Sequence, residues 1–379
     1  RKMSKSLGNG IDPLLLIEKY GADALRFALV KEVAGAGQDV RLDYDRSNDT
    51  SLTVEASRNF ANKLWNATRF ALMNSEHTSF NNLFDEINPS SLQLSDRWIL
   101  SRLNRTNLTT LKRYNDYSLG EAAKGLYEFV WNDFCDWYLE LSKRRLNNSD
   151  SKNDAQLIDR RITQQVMFKV LHEALVMLHP LMPHLTEELW HGITGFSENK
   201  LLALQRWPEL EEQFMDQTLE ASYEELFNSI RLVRNLRAVA GLKPSQLIPV
   251  RFVTRNNHLN ELLKEAIYDI QALTKANSVE VLDPDELKQQ PSVKALAGVS
   301  GELEVVLPIE GLVDISALRS RLEKDLIKAQ KEISTLSSRL SNPNFATKAP
   351  EAVVTECKFK LADAQSQADL VRKRLLGLE

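Results

Sequence analysis

The last 66 residues carry the apolar pattern that most restricts how this chain can fold. Apolar residues recur there at steps of three and four in two runs, which the loop Asn342-Pro343-Asn344 separates. Such steps place side chains on one helix face, and the second run alternates three and four without a fault, which is a heptad seam. We predict an antiparallel coiled-coil hairpin in which Ala364 and Ala368 allow close helix approach. The seam positions are Ile315, Leu318, Leu322, Leu326, Ala329, Ile333, Leu336 and Leu340, then Val354, Cys357, Leu361, Ala364, Ala368, Val371, Leu375 and Leu378.

Helical periodicity also dominates the chain before this hairpin, so the predicted fold class is mainly α. Asp12-Pro13 starts a helical segment that is broken near Gly21, because Asp caps free N–H groups and Pro suits the first helical position. A bundle of amphipathic helices follows. Its helices are predicted over residues 55–73, after Ser95-Asp96, through 131–138, over 163–178 and after Met182-Pro183.

Strand-like segments are confined to a small α/β part and one connector. After Trp207-Pro208, a helix is predicted over 216–240, strands over 247–254, 279–282 and 302–309, and a helix over 259–275. The polar connector 34–53 holds a further short candidate strand at Val40-Arg41-Leu42. We therefore expect four segments, with limits at 1–53, 54–207, 208–312 and 313–379.

Composition excludes several classes of protein. The 379 residues are 43% hydrophobic and 26% charged, as in water-soluble globular proteins, and no apolar run approaches the roughly 18 residues of a membrane span. Two distant cysteines, Cys135 and Cys357, build neither a disulfide framework nor a CxxC zinc site, so a reducing cytoplasm is expected. The opening residues resemble neither a signal peptide nor a translation start, and we expect a piece of a longer chain.

Net charge is −4, so any contact with nucleic acid has to come from local basic patches. Residues 314–379 contain 12 Lys and Arg against 9 Asp and Glu, a local +3, which leaves −7 for the remainder. The hairpin is thus the basic end of an acidic chain.

The pentapeptide Lys2-Met3-Ser4-Lys5-Ser6 is the strongest chemical signal. A given pentapeptide arises by chance about once per million positions, and this one precedes a capped helix. It resembles the KMSKS loop of class I aminoacyl-tRNA synthetases. Lysines and serines on such a loop suit the charge that moves onto departing pyrophosphate. The resemblance implies that Lys5 stabilises the transition state, that Lys2 supports ATP binding and that all five residues contact ATP.

Other stretches resemble the isoleucine, leucine and valine subgroup of these enzymes, and the resemblance covers essentially the whole chain. They are residues 20–26, 58–66, 131–138 and 179–190. A terminal hairpin with Leu340-Ser341-Asn342-Pro343-Asn344-Phe345 and Ala349-Pro350-Glu351 is similar to the arm of the valyl-tRNA synthetase family. Isoleucine enzymes commonly end in a zinc module that two cysteines cannot build.

Membership of this family implies that the chain is the C-terminal part of a ligase. The substrates of that ligase would be ATP with Mg²⁺, valine and its tRNA. The resemblance also implies a monomer that holds no metal of its own. The first segment would be the KMSKS loop and the end of the catalytic domain, the second the anticodon-binding bundle and the fourth a tRNA-binding arm. The family places the remaining catalytic and editing parts upstream. A free-standing tRNA-binding module and a fragment of the isoleucine enzyme are the alternatives, and the KMSKS-like loop counts against the first.

The helix over 55–73 carries the candidate anticodon contacts. Asn62, Asn66 and Phe70 fall four residues apart, beside Lys63 and off the apolar stripe of the helix. Aromatic rings stack on unpaired bases and amides bind base edges. The family reads the anticodon from this helix, which implies these four residues as contacts; the alternative is a solvated polar face.

Charged clusters elsewhere allow two interpretations each. Arg231, Arg234 and Arg237, with Lys243 beyond them, suit either phosphate contacts or salt bridges. For Asp133, Asp136 and Glu140 we prefer pairing with Arg or Lys over a catalytic or metal site. For His184, Glu187, Glu188 and His191 we prefer a helix start over metal binding, because acidic groups there complement the helix dipole.

Overall fold

The computed structural model describes residues 10–33, 40, 42–75, 87–147, 153–195, 201–291, 293–342, 345 and 350–378. Over these residues the chain is mainly α-helical with one four-stranded sheet, which confirms the predicted fold class. It divides into two compact units, 1–220 and 221–379, and the division falls within the helix Gln217–Ala240. This division into two units does not test the limits of the four predicted segments, which stay predictions.

The first unit opens with α1 (Pro13–Tyr20) and α2 (Ala22–Lys31), as the capping pattern predicts. Asp12 accepts a hydrogen bond from the backbone of Leu14 at the start of α1, and Gly21 separates the two helices with a φ of 91°. Positive φ values are readily adopted by glycine. The short strand expected at 40–42 is not found, because Val40 and Leu42 belong to no strand, and Arg41 lies outside the described residues.

The bundle follows, with most helix positions as predicted. It consists of α3 (Leu52–Met73), α4 (Leu94–Asn115), α5 (Leu119–Glu128), a π-helix (Phe129–Tyr138), α6 (Leu139–Leu146), α7 (Asp154–Leu178) and α8 (Pro183–Thr194). The helix predicted through 131–138 is thus a π-helix continuous with α5 and α6. Its buried residues Phe129 and Phe134, and Val130 and Cys135, recur at five, which matches the i→i+5 bonding of a π-helix.

Three polar residues inside the bundle hold the segment that leaves it. Ser101, Asn104 and Asn107 lie on one face of α4 and are buried. Each forms a hydrogen bond of 2.7 to 2.9 Å with a backbone group of the segment 208–216. Buried polar groups need such partners, so this ladder fixes the path of the chain beyond Trp207.

The second unit contains a mixed sheet beside α9 (Gln217–Ala240). Its strand order is β2-β1-β4-β3, with β1 parallel to β2 and antiparallel to β4, and β3 antiparallel to β4. The elements are β1 (Ile248–Val253), α10 (Asn257–Glu265), α11 (Ile267–Thr274), β2 (Ala276–Leu282), α12 (Pro284–Gln289), β3 (Ala295–Ser300) and β4 (Leu303–Pro308).

Two predictions for this unit were incomplete. The single helix expected over 259–275 is two helices that meet at Ala266. The strand β3 was missed because its residues include Ala, Gly and Ser, which are poor or indifferent strand formers. At Gly298 a Cβ atom would lie 2.8 Å from the Leu232 side chain, so glycine lets the strand approach α9 closely.

The predicted hairpin is confirmed as α13 (Ile315–Ser341) and α14 (Glu351–Leu376), which we call the arm. Every one of its sixteen seam positions is buried or half-buried. Ala364 is 5% exposed and Ala368 is fully buried, as close approach of the helices requires. The arm joins β3 where the N–H of Ala295 donates to the carbonyl of Gly377 at 3.0 Å. No helix in the described ranges is both long and apolar enough to cross a membrane.

Candidate nucleic-acid interface

The start of α3 is fixed by two polar side chains. Ser51 accepts from the backbone N–H of Val54, and the carboxylate of Asp43 accepts from the N–H groups of Leu52 and Thr53 at 2.6 and 3.1 Å. Burial raises the pKa of Asp43, but these hydrogen bonds outweigh it, and the net result is a lowered pKa. A carboxylate at this end also complements the helix dipole. The helix that carries the candidate RNA contacts is therefore held at its N-terminus.

One face of α3 is buried and the opposite face carries the candidate residues. Phe60 and Leu64 are fully buried. Asn62 and Asn66 are exposed, and Phe70 is half-buried. The structure thus brings the three predicted residues onto one accessible face, with an aromatic ring one turn beyond the second amide.

Lys63 is also near this face, but it already has partners. Its Nζ lies 2.5 Å from Oδ1 of Asp136 and 5.0 Å from the centre of the Trp131 ring. Both charged groups remain partly exposed, with 33% and 45% of their side chains accessible. A half-exposed pair of this kind contributes little to stability, so little free energy is needed to separate the two groups.

Trp131 is the outer end of an aromatic column that begins in the core. Ring centroids are separated by 5.1 Å between Phe27 and Phe60, 5.0 Å between Phe60 and Tyr127, and 5.5 Å between Tyr127 and Trp131. Burial and the nearby Asp136 raise the pKa of Tyr127, which keeps it neutral. The column links α2, α3, α5 and the π-helix and holds Trp131 beside Lys63.

Sequence reasoning missed further residues on this face. Trp65 is 46% exposed, Met73 is 61% exposed, and Asn59 and Arg69 are exposed as well. Their positions follow the same helical stripe as Asn62 and Asn66, which is the signal that could have found them. The face therefore offers amides, a guanidinium and an indole, the groups that bind base edges, phosphates and base rings.

The acidic residues of the π-helix and of the start of α6 form ion pairs. Asp133 lies 2.8 Å from Arg102, Asp136 pairs with Lys63, and Glu140 lies 2.6 Å from Lys143. The preferred interpretation, structural pairing with basic residues, is confirmed.

The interpretation of Glu187 and Glu188 as residues of a helix start is wrong, because the first turn of α8, which begins at Pro183, contains no acidic residue. Glu187 accepts from the N–H groups of Leu202 and Ala203 at 2.8 and 3.2 Å, and it lies 3.2 Å from Nε2 of His191. His184 and Glu188 are exposed. Among the residues that the structure describes, no group of three His, Cys, Asp or Glu is placed to hold a metal ion.

The arginines of α9 hold protein groups. Arg231 pairs with Glu224 at 3.0 Å. Arg234 donates to the carbonyl of Leu273, and the buried Arg237 donates to the carbonyl of Gln246. A salt bridge therefore holds Arg231, and both Arg234 and Arg237 donate to backbone carbonyls, a role that charge counting cannot foresee.

The signature residues Lys2, Met3, Ser4, Lys5 and Ser6 lie outside the described residues. The structure gives only the element that follows them, the capped helix α1.

Comparisons with known proteins match three parts of the chain. A family model described as class I tRNA synthetases (I, L, M and V) matches residues 1–43. The anticodon-binding domain of tRNA ligase matches 96–252, and the valyl tRNA synthetase tRNA binding arm matches 314–379. Valine--tRNA ligase of Prochlorococcus marinus (strain SARG) is 68% identical over 379 residues, which are 100% of this chain and 41% of that protein. The chain belongs to the valyl-tRNA synthetase family.

Other members of the family match over the same span. Valine--tRNA ligase of Synechocystis sp. is 46% identical over 378 residues, 99% of this chain and 40% of that protein. The chain thus spans about two fifths of the length of its curated relatives. A solved LeuRS from Agrobacterium radiobacter K84 in complex with tRNA covers 75% of this chain and 31% of that one, with 16% identity and a TM-score of 0.40.

None of the three matched regions includes α3. This helix lies between the first model, which ends at residue 43, and the second, which starts at residue 96. The assignment of Asn62, Lys63, Asn66 and Phe70 as anticodon contacts therefore stays a prediction, which no matched region covers.

Proposed function

We propose that this chain provides the tRNA-recognition part and the ATP-activating loop of a valine–tRNA ligase. In that reaction the valine carboxylate attacks the α-phosphate of ATP, pyrophosphate leaves, and the valyl group passes from the adenylate to the tRNA. ATP with Mg²⁺, valine and its tRNA are the substrates, and we place the enzyme in the cytoplasm as a monomer. The alternatives, a free-standing binding module and a part of the isoleucine enzyme, are not favoured by the relatives that the whole chain matches.

The KMSKS-like loop would act on the departing pyrophosphate. Lys5 would stabilise the charge that develops there, and Lys2, Met3, Ser4 and Ser6 would hold ATP. A contact made mainly in the transition state affects the rate more than the binding of substrate, and removing one typically costs about 3 kcal/mol, or a hundredfold. In the complete enzyme, Lys5→Ala should therefore slow adenylate formation with little change in valine affinity.

The observation that carries the RNA-binding part of the proposal is the exposed face of α3. Asn62 and Asn66 are accessible one turn apart, and Phe70 follows after another turn. Amide side chains carry both a donor and an acceptor, so they can bind the Watson–Crick edge of an unpaired base while a ring stacks on it. We propose that this face reads the anticodon and that Lys63 leaves Asp136 to bind an adjacent phosphate.

The arm would add affinity that does not depend on base sequence. It is basic, with a local +3, and its seam residues are taken up by the coiled coil. Long charged side chains on a rigid hairpin reach phosphates and discriminate poorly between bases. We propose that the arm increases the affinity for any tRNA, whereas α3 selects the tRNA of valine.

Binding of transcripts by the 379-residue chain tests this division of roles. Asn66→Ala should weaken binding of the valine tRNA about tenfold, the effect of one lost hydrogen bond with an unsatisfied partner. The same variant should bind a tRNA with a replaced anticodon as the unaltered chain does. Its affinities for the valine tRNA and for the altered tRNA should therefore become similar. Phe70→Ala should weaken binding more than Phe70→Leu does, because base stacking on an aromatic ring contributes about 1–3 kcal/mol.

The matched control is Asn115→Ala, which alters an exposed asparagine at the end of α4 instead of one on α3. If Asn66→Ala and Asn115→Ala bind both tRNAs as the unaltered chain does, α3 does not read the anticodon. If the unaltered chain binds no tRNA, the proposed function itself is wrong.

A further inference from the structure

A groove lies within the second unit between α9 and the two helices of the arm. Its volume is about 550 Å³, and its lining includes Asn235 of α9, Arg321 and Asp325 of α13, and Arg374 of α14. Most of these side chains are exposed, but Arg374 is not. The groove therefore contains one charge that is removed from water.

Arg374 has few protein partners for a buried cation. Only 8% of the residue is exposed, and its Nη2 donates to Oδ1 of Asn235 at 3.2 Å. Its Nε is buried and finds no hydrogen-bond acceptor. Within the part of the chain that the structure describes, Arg374 forms no ion pair with a carboxylate. Burial lowers the pKa of the guanidinium, as expected for a charge that loses water without gaining a counter-ion.

A buried charge is costly unless it is paired, so this arrangement indicates a missing anion. Arg145, which is also buried, differs from Arg374 in this respect, because it contacts the carboxylates of both Asp96 and Asp159 at 2.7 Å. The groove has acids of its own, Asp325 and Glu332, but both are exposed. Their charges are screened by water, whereas the charge of Arg374 is screened much less.

The donors in the groove suit a phosphate group. A guanidinium presents N–H groups in a planar fork that matches two phosphate oxygens. Asn235 accepts from Arg374 through its oxygen, which leaves its amide N–H groups for a further oxygen. Arg321 and Lys328 line the same groove and supply additional positive charge.

We propose that this groove at the root of the arm binds a backbone phosphate of tRNA, with Arg374 as its principal ligand and Asn235 as the second. The inference rests on the proposed role of the arm in tRNA binding and names one specific contact for it. Free inorganic phosphate shares the same chemistry, so the experiment has to separate the two sources.

The salt dependence of tRNA binding by the 379-residue chain provides the test. Each phosphate that a cation neutralises steepens the decrease of log K with log salt by roughly 0.7 to 0.9. Arg374→Gln should make this slope shallower by that amount, so that between 50 and 200 mM KCl the unaltered chain loses roughly threefold more affinity than the variant. Arg374→Lys should keep the slope but bind more weakly, because it lacks the fork.

Arg372→Gln is the matched control, since Arg372 lies on the same helix but is exposed and pairs with Asp369 at 2.6 Å. Arg372→Gln should leave the slope of log K against log salt unchanged. If Arg372→Gln and Arg374→Gln change this slope equally, only the net charge of the arm matters and the proposed site is wrong. Asn235→Ala should weaken binding without changing the slope. Asp325→Asn should strengthen binding, because it removes a negative charge from the groove.

Thermal unfolding distinguishes the remaining outcomes. At fixed ionic strength, inorganic phosphate should raise the melting temperature of the unaltered chain and of Arg372→Gln, but not that of Arg374→Gln. If it does so while the salt slopes of all variants coincide, the site binds a free anion and the tRNA assignment is wrong. If folded Arg374→Gln shows the same rise of melting temperature with phosphate and the same salt slope of tRNA binding as the unaltered chain, there is no anion site. Absence of all tRNA binding would contradict the proposed function instead.

Discussion

Arg145 donates from Nη1 to Oδ1 of Asp96 over 2.7 Å, and the two side chains are 3% and 0% exposed. The same carboxylate accepts from the hydroxyl of Tyr138 at 2.8 Å and from the N–H of Gln93 at 3.1 Å. Arg145 also lies 2.7 Å from Asp159. One buried ion pair therefore links the start of α4 to the π-helix, α6 and α7.

Removing one partner of this pair should be severely destabilising. Arg145→Met leaves Asp96 as an unpaired buried charge, and we expect the free energy of unfolding to fall by about 3–5 kcal/mol. Urea unfolding followed by tryptophan fluorescence measures the loss. The double variant Asp96→Leu/Arg145→Met should lose less than the sum of the two single changes, because no buried charge remains. Additive losses would show that the two side chains act independently.

Stability should fall as the pH falls from 7 towards 4, in part because of His172. Its ring stacks on Trp190 at 4.6 Å, and burial, with a smaller effect of Lys169, lowers its pKa from 6.5 to about 4. The unfolded state therefore gains a proton near pH 6.5, whereas the folded state resists protonation until about pH 4. The stability contributed by the neutral ring is present above pH 6.5 and is lost across this window, by up to about 3 kcal/mol.

His172→Phe should flatten this pH dependence, because phenylalanine retains a ring against Trp190 but does not titrate. Chemical denaturation at several pH values between 4 and 7 would show it as a difference from the unaltered chain. The control is His184→Gln, which alters an exposed histidine on α8. Parallel pH profiles for the unaltered chain and His172→Phe would contradict the assignment.

The arm could be predicted almost completely from the sequence, because a two-helix hairpin depends on little besides its seam. The packing of the bundle could be predicted less completely. Ser101, Asn104 and Asn107 are polar, so periodicity places them towards solvent, but they are buried against the backbone of residues 208–216. Such positions are determined by a partner that is distant in sequence, which a local pattern does not contain.

The same limit applies to the candidate interface. The exposed face of Asn62 and Asn66 follows from helical periodicity and could be predicted. The pair between Lys63 and Asp136 joins residues 73 positions apart, and the aromatic column ending at Trp131 crosses four elements. Both depend on tertiary packing. The sequence therefore indicates which groups face solvent, whereas only the structure shows which of them already have partners.

A side chain at Gly377 should separate the arm from the sheet. A Cβ atom there would lie 2.5 Å from the carbonyl oxygen of Ala295, and a shift of either backbone to relieve this contact would disturb the hydrogen bond from the N–H of Ala295 to Gly377. We expect Gly377→Ala to lower stability by about 1–3 kcal/mol, as overpacking does. Gly192→Ala is the control, because nothing lies within 4 Å of its added Cβ and alanine favours a helix. Equal stabilities of the two variants would contradict the close approach.

The seam of the arm should be required for tRNA binding but not for activation of valine. Leu361 lies in the middle of α14 at a half-buried seam position. Leu361→Pro removes a backbone hydrogen bond and disturbs the preceding turn, which costs about 3 kcal/mol or more within a helix. In the complete enzyme we expect a higher KM for tRNA and an unchanged rate of valine-dependent pyrophosphate exchange, because adenylate forms before tRNA is used.

Glu351→Pro separates the effect of proline from the effect of losing the helix. Glu351 is the first residue of α14, where the N–H has no partner within the helix and proline is tolerated. This variant should keep the KM of the unaltered enzyme, whereas Leu361→Pro should behave like a deletion of residues 314–379. Circular dichroism of each variant of the 379-residue chain shows whether helix is lost. If Leu361→Pro loses helix but tRNA is charged as before at every salt concentration, the arm does not bind tRNA, and its local excess of +3 is incidental.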